Sequence, residues 1–215
     1  MKRGYIKDTI TFTHMVEQEY IKEIYTKKEL EILLKRPESK GFAEYRTWVI
    51  INMLLATGIR ALELRQLRIS DIDLNSAVIT LGHAKNRKAR IIPIPSSLIS
   101  ILFEYLQIRN GSSDEVLFCN IYGEPMKRTT LQISVTKYCK KRKVNKHSLH
   151  LFRHTFITLS INKGVSPILL KRITGHANFL MLNKYYSFNA TDLVNVVDSI
   201  NPLEDFKAIK KNFLE

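Results

Sequence analysis

A mainly α-helical chain with a small antiparallel β-sheet, an α+β arrangement, is what these 215 residues predict, and three observations carry it. A long apolar run, Phe42 to Thr57, has helix-forming composition and stops at Gly58. Two short strand-like runs follow, Ala77–Leu81 and Arg90–Ile94, closed off by Pro93 and Pro95. From Thr129 onward helical segments succeed one another, punctuated by start signals such as Ser166-Pro167.

In order along the chain, residues 1–23 mix polar and aromatic groups without period and read as an N-terminal arm or linker. Thr26-Lys-Lys-Glu29 has the spacing of a capping box and opens a short helix. Phe42–Thr57 forms a mostly buried helix. Leu62, Leu64 and Leu67 make a short helix of Arg60–Leu67 after a tight turn. The strand-like runs join through the basic loop His83–Lys88, as a hairpin or a three-stranded sheet. Ser96 is expected to cap a helix to about Arg109, and Val116–Cys119 to add a short strand. Helices then cover roughly 129–143, 148–163 and 167–174. A short helix over 180–187, a tail helix from near 191 and another after Pro202 complete the reading. Leu203, Phe206, Ile209 and Phe213 share one face of the last.

Composition narrows the function. Thirty-four Lys and Arg stand against 20 Asp and Glu, a net charge of +14 and a pI near 9.8. Such an excess suits a polyanionic partner, because basic surfaces displace the counterions of nucleic acid. Lys137, Lys140, Lys141, Arg142, Lys143 and Lys146 fall within eleven residues and are candidate DNA contacts. No apolar run approaches the ~20 residues that span a bilayer, and the first residues lack the apolar core of a signal peptide. A cytoplasmic, nucleoid-associated protein with no membrane partner is expected. Cys119 and Cys139 are too few for a disulfide framework or a four-thiolate zinc site and read as reduced thiols.

The chemistry lies in spaced polar residues. His150 and Arg153, three apart on a predicted helix, can reach one anion together. His150 and His154 have zinc-ligand spacing but lack the intervening glutamate and a third ligand, so no metal is expected. Arg60 follows Thr57-Gly58-Ile59 at a helix start, where backbone N–H groups attract anions, and its guanidinium can fork two phosphate oxygens. Glu63, one turn later, can orient it. Lys85 sits on the basic loop beside Arg87 and Lys88, where an ammonium can enter a DNA groove and donate a proton. Gly175-His176 follows a helix end, and Tyr185 comes nine residues after His176.

Together these residues resemble the tyrosine recombinase (phage integrase) family. Thr57-Gly-Ile-Arg60-Ala-Leu-Glu63-Leu, continuing to Asp73, is similar to the family's first-arginine box. Lys85-Asn-Arg-Lys-Ala-Arg-Ile-Ile-Pro93 is similar to its hairpin-lysine motif, and His150-Leu-Phe-Arg153-His154 to its H-x-x-R box. Gly175-His176 with Tyr185 is similar to the final box. The likeness spans about residues 24–200 and implies the tyrosine recombinase catalytic-domain fold.

The resemblance implies roles. Arg60 and Arg153 would clamp the scissile phosphate, with His150 and His176 as hydrogen-bonding partners. Lys85 would be the general acid, and Tyr185 the nucleophile of a 3′-phosphotyrosyl intermediate that stores the bond energy, with no metal, cofactor or ATP. Double-stranded DNA would be the partner, bound as a homotetramer by a protein that can be monomeric without DNA. Integration or excision of a mobile element or phage would be the task. Tyr186 adjoins Tyr185 and leaves a second phenol open; Met181-Leu182 replaces the family's usual small hydroxylated residues. Family members usually carry an N-terminal core-binding domain, whereas fewer than 25 residues precede the resemblance, so a fragment or a short one-sided clamp is expected. Residues 201–215 would form a tail helix, docked on a neighbouring protomer or on its own domain. Two alternatives stand beside this reading: a type IB topoisomerase, and a non-catalytic DNA-binding antagonist of a full-length recombinase.

Overall fold

The computed structural model describes residues 23–39, 41–82 and 90–176. The arm over 1–22, the loop bearing Lys85, Arg87 and Lys88, and all that follows His176, including Tyr185, Tyr186 and the tail helix, lie outside the described residues.

Within those residues the order is α1 (Lys27–Leu34), α2 (Phe42–Thr57), α3 (Ala61–Gln66), a 3-10 turn (Ile69–Asp71), β1 (Ile72–Asp73), β2 (Val78–Leu81), β3 (Arg90–Pro93), α4 (Ser96–Arg109), α5 (Arg128–Lys141), α6 (Leu149–Asn162) and α7 (Pro167–Thr174). The mainly helical fold with a small antiparallel sheet is therefore the observed one.

Helix α2 is the axis. Apolar on all sides, it is covered by α1, α4, α5 and α6, and Val49, Ile50, Ile51, Met53 and Leu54 are fully buried. Burial of such side chains stabilises by roughly 1.5–3 kcal/mol each. Its Trp48 Nε1 donates to Leu34 O at 2.8 Å, which closes α1 against it. The Thr26 capping box forms as expected: Glu29 N–H donates to Thr26 Oγ1 at 3.2 Å, and Thr26 N–H to Glu29 Oε2 at 2.8 Å. Tyr25, just before it, is buried, with its ring centroid 4.5 Å from that of Phe152 in α6.

The sheet has three strands in the order β1-β2-β3, antiparallel throughout. Ile79 faces Ile92 across β2 and β3, and both are buried, while the alternate residues Thr80 and Ile91 point outward. Leu81 pairs with Arg90, so the segment bearing Lys85 leaves and re-enters at adjacent strand ends.

Two expectations are corrected. Val116–Cys119 is not a strand; it makes only isolated bridges, Arg68 to Val116 and Cys119 to Pro125. Its backbone groups are taken elsewhere: Leu117 N–H donates to Leu67 O at 2.7 Å, Tyr105 Oη to Leu117 O at 3.1 Å, and Arg46 to Cys119 O. Ser96 is the first residue of α4 rather than its cap. Pro95 holds the cap position, and its carbonyl accepts from Leu98 N–H at 2.8 Å.

Candidate active site

Two glycines turn the chain into the site. Gly58 ends α2 in the left-handed region, φ 60°, with its N–H on Leu54 O at 3.0 Å. A β-carbon there would overlap the Phe156 ring of α6, so glycine alone lets α2 end against that helix. The reversal buries Ile59 and brings Arg60 out at the start of α3. Gly175 ends α7 in the same way, φ 66°, and delivers His176. A β-carbon on Gly175 would lie 2.6 Å from Arg90 Cζ and 2.9 Å from Arg60 Nη1.

Arg153, buried on α6, ties these two turns together. Its Nη1 donates to Gly58 O at 2.5 Å, and its Nη2 to Thr174 O at 2.9 Å. Nη2 also lies 3.2 Å from His176 Nε2. A guanidinium only donates, so Nε2 is the acceptor. Thr174 Oγ1 gives its proton to Leu170 O at 2.6 Å, so it accepts from His176 Nδ1 at 2.7 Å. His176 is thus held as the neutral Nδ1–H tautomer. Burial, followed by the charges of Arg153, Arg60, Arg90 and His150, lowers its pKa to about 4. His150, exposed on the first turn of α6, belongs to that field.

Arg60 donates from Nη2 to Gly175 O and from Nη1 to Glu63 Oε1 at 3.0 Å. Its backbone N–H goes to Glu63 Oε2 at 3.1 Å. The helix start expected to hold an anion is therefore answered by the protein's own carboxylate. Glu63 is buried and also takes a two-armed bond from Arg90, Nη1 to Oε1 at 2.8 Å and Nη2 to Oε2 at 2.7 Å. Burial opposes its ionisation, but Arg90 and then Arg60 overcome that and hold the carboxyl at about 2. Arg90 is the residue that the sequence reading passed over. Its one signal is its place, the strand residue just before Ile-Ile-Pro, and that does not tell a site arginine from a solvent-facing one.

Arg60, Arg153 and His176 thus come from three separate boxes to one place, with Glu63 between two arginines, and His150 is near enough for its charge to bear on His176. They offer guanidinium donors around a site suited to a phosphodiester.

The basic cluster is divided by the fold. Lys137, Lys140 and Lys143 are exposed, and so is Lys141, which reaches Glu44 at 2.7 Å. Arg142 is drawn inward, paired with Glu44 at 2.9 Å and stacked on Tyr138 with Cζ 3.6 Å from the ring centroid. Lys146 is bound by Glu23 at 2.7 Å and Glu29 at 3.1 Å. Arg142 and Lys146 therefore pin α5 and the entering chain to the rest of the molecule.

The lowered pKa of His176 sets a pH dependence. An unfolded histidine takes its proton near 6.5 and the folded one near 4, so folding excludes a proton between these values. This contribution is complete above pH 6.5 and fades as the pH falls toward 4. Urea unfolding from pH 7 to pH 4 is expected to show falling stability, with a shallower slope in His176→Gln. Equal slopes in the two proteins would remove His176 as the cause.

Among known proteins, this architecture is that of tyrosine recombinase catalytic domains. A crystal structure of the XerA recombinase superposes with a TM-score of 0.67 at 25% identity, over 84% of this chain and 64% of that one. The XerH site-specific recombinase bound to its difH substrate superposes with a TM-score of 0.66 at 27% identity, over 80% of this chain and 52% of that one. Tyrosine recombinase XerC of Staphylococcus epidermidis is 28% identical over 202 residues, 92% of this chain and 68% of the relative. The chain belongs to the phage integrase family, whose sequence model matches residues 23–191. It spans about half to two thirds of the length of these proteins.

Proposed function

We propose that this chain is the catalytic part of a site-specific DNA recombinase, with residues 24–200 as the catalytic domain. The convergence of Arg60 and Arg153 on the two glycine turns, with His176 held against Arg153, carries the reading. In it, Arg60 and Arg153 hold the non-bridging oxygens of one phosphodiester while His150 and His176 complete the ring of polar groups. Tyr185 Oη attacks phosphorus, the bond to the 5′-oxygen breaks, and Lys85 gives that oxygen its proton. The products are a 3′-phosphotyrosine and a free 5′-hydroxyl. Attack by another 5′-hydroxyl reverses the step and joins strands. The arginines offset the developing charge.

Double-stranded DNA is the partner, engaged by Arg87, Lys88 and the exposed Lys137, Lys140, Lys141 and Lys143. These phosphate contacts give steep salt dependence. The working assembly is a tetramer on DNA, with residues 201–215 docked on a neighbouring protomer, and its task is the integration or excision of a mobile element. Among the described residues no helix is long and apolar enough to cross a membrane, which suits a DNA partner.

The test is covalent capture. The protein is mixed with nicked suicide duplexes of its native recombination site in EDTA without ATP, then resolved on denaturing gels. An adduct on the 3′ end of the cut strand, leaving a 5′-hydroxyl, is the expected product. DNA binding with no adduct would overturn the enzyme reading and favour an antagonist that occupies recombination sites.

A further inference from the structure

We propose that Arg90 is a positioning residue that keeps Arg60 available to the phosphate by engaging the carboxylate between them. The proposal rests on the phosphodiester site described above. Glu63 is buried beside Arg60, and a buried carboxylate facing one arginine alone would take it in a two-armed bond. That arrangement would cancel the charge of Arg60 and aim its guanidinium inward. In this fold the two-armed bond goes to Arg90 instead, at 2.8 and 2.7 Å, and Arg60 gives Glu63 one side-chain nitrogen at 3.0 Å.

The two arginines differ in exposure as this division of labour requires. The Arg90 side chain is 18% exposed and that of Arg60 is 38% exposed, so Arg90 is the inner partner and Arg60 the outward one. Arg90 is fastened on its other side, with Nε 3.3 Å from Ile173 O near the end of α7. Both guanidiniums pack on Gly175, where no side chain could stand, and each also donates to a carbonyl at the end of α7, Arg60 to Gly175 O and Arg90 to Ile173 O, while the carboxylate they share offsets the repulsion of the like charges.

Charge follows from the same geometry. Arg60, Glu63 and Arg90 together carry one net positive charge. Without Arg90, Glu63 and Arg60 would be a neutral pair and lose most of their attraction for an anion. Arg90 also opens β3, five residues after Lys85, so it joins the base of the lysine-bearing segment to α3 and α7. It contributes to the site through Glu63 and need not touch DNA.

The experiment compares wild type, Arg90→Gln, and the double variant Arg90→Gln with Glu63→Gln, which restores the charge balance. Tungstate, a phosphate-shaped anion, is titrated by thermal shift, and the adduct rate on the suicide duplex is measured under single turnover. Arg90→Gln is expected to weaken tungstate binding and slow adduct formation about tenfold or more. The double variant is expected to return within about threefold of wild type in tungstate affinity, because the carboxylate that captures Arg60 is gone. A purely structural Arg90 would leave the double variant as impaired as the single one, and that result overturns the proposal. It is also overturned if Arg90→Gln binds tungstate like wild type. Should Arg90→Gln not fold, comparison of the double variant with wild type decides alone, and a tenfold deficit there rejects the idea. If the tungstate pattern appears while wild type forms no adduct, the role of Arg90 stands and the strand-cleavage reading falls.

Discussion

Tyr185→Phe is expected to abolish the covalent protein–DNA adduct, while Tyr186→Phe leaves it. In the proposed mechanism the phenolic oxygen is the atom that bonds to phosphorus, and no binding interaction replaces a missing nucleophile. A loss of at least about 10⁴ in single-turnover rate is the scale for such a deletion. DNA affinity should change little, because it comes from many phosphate contacts. Both tyrosines lie outside the described residues, but the site they must reach is defined. The nine residues from His176 to Tyr185 extend to at most ~30 Å, ample for a return to the arginines. Neighbouring side chains point in different directions on a regular backbone, so the two phenols are not interchangeable. The family spacing selects Tyr185. An adduct lost only with Tyr186→Phe would reassign the nucleophile and leave the rest of the site as described.

Arg153→Lys is expected to lower the adduct rate on the order of 10²–10³, the usual cost of removing one charge-stabilising donor. It should also lower the unfolding free energy by about 2–3 kcal/mol, as for the loss of hydrogen bonds from a buried charged group. Arg153 reaches Gly58 O, Thr174 O and His176 Nε2 with one planar group. A lysine ammonium is a point charge on a flexible stem and cannot hold that geometry. The variant keeps its positive charge, so non-specific DNA binding should persist. Urea unfolding and single-turnover cleavage check the two effects separately. Cleavage within tenfold of wild type would remove Arg153 from the phosphate clamp.

How much was legible follows from the range of the forces involved. The ends of α2 and α7 could be read because Gly58, Gly175 and Ser166-Pro167 act within a few residues of themselves. The three-stranded alternative for residues 72–94 was open in the sequence, and the Asp73–Val78 pairing decides it. The role of Arg90 was not legible, because Glu63 and Ile173, its partners, are distant in the chain. The same reason divides the basic cluster. Counting lysines and arginines over 137–146 registers the cations but not Glu23, Glu29 and Glu44, which come from other elements to meet Arg142 and Lys146. Val116–Cys119 has strand-like residues, yet its hydrogen bonds are claimed by a loop carbonyl and two side chains.

The fastening of Tyr25 has a mechanical consequence. Its ring lies on Phe152, the neighbour of Arg153, its N–H meets Thr155 Oγ1 at 3.2 Å, and its hydroxyl meets Lys146 O at 3.1 Å. Three attachments leave little play where the chain enters. A tug or twist applied upstream of Glu23 would therefore be transmitted to α6 as by a rigid lever, instead of being absorbed by a slack tether.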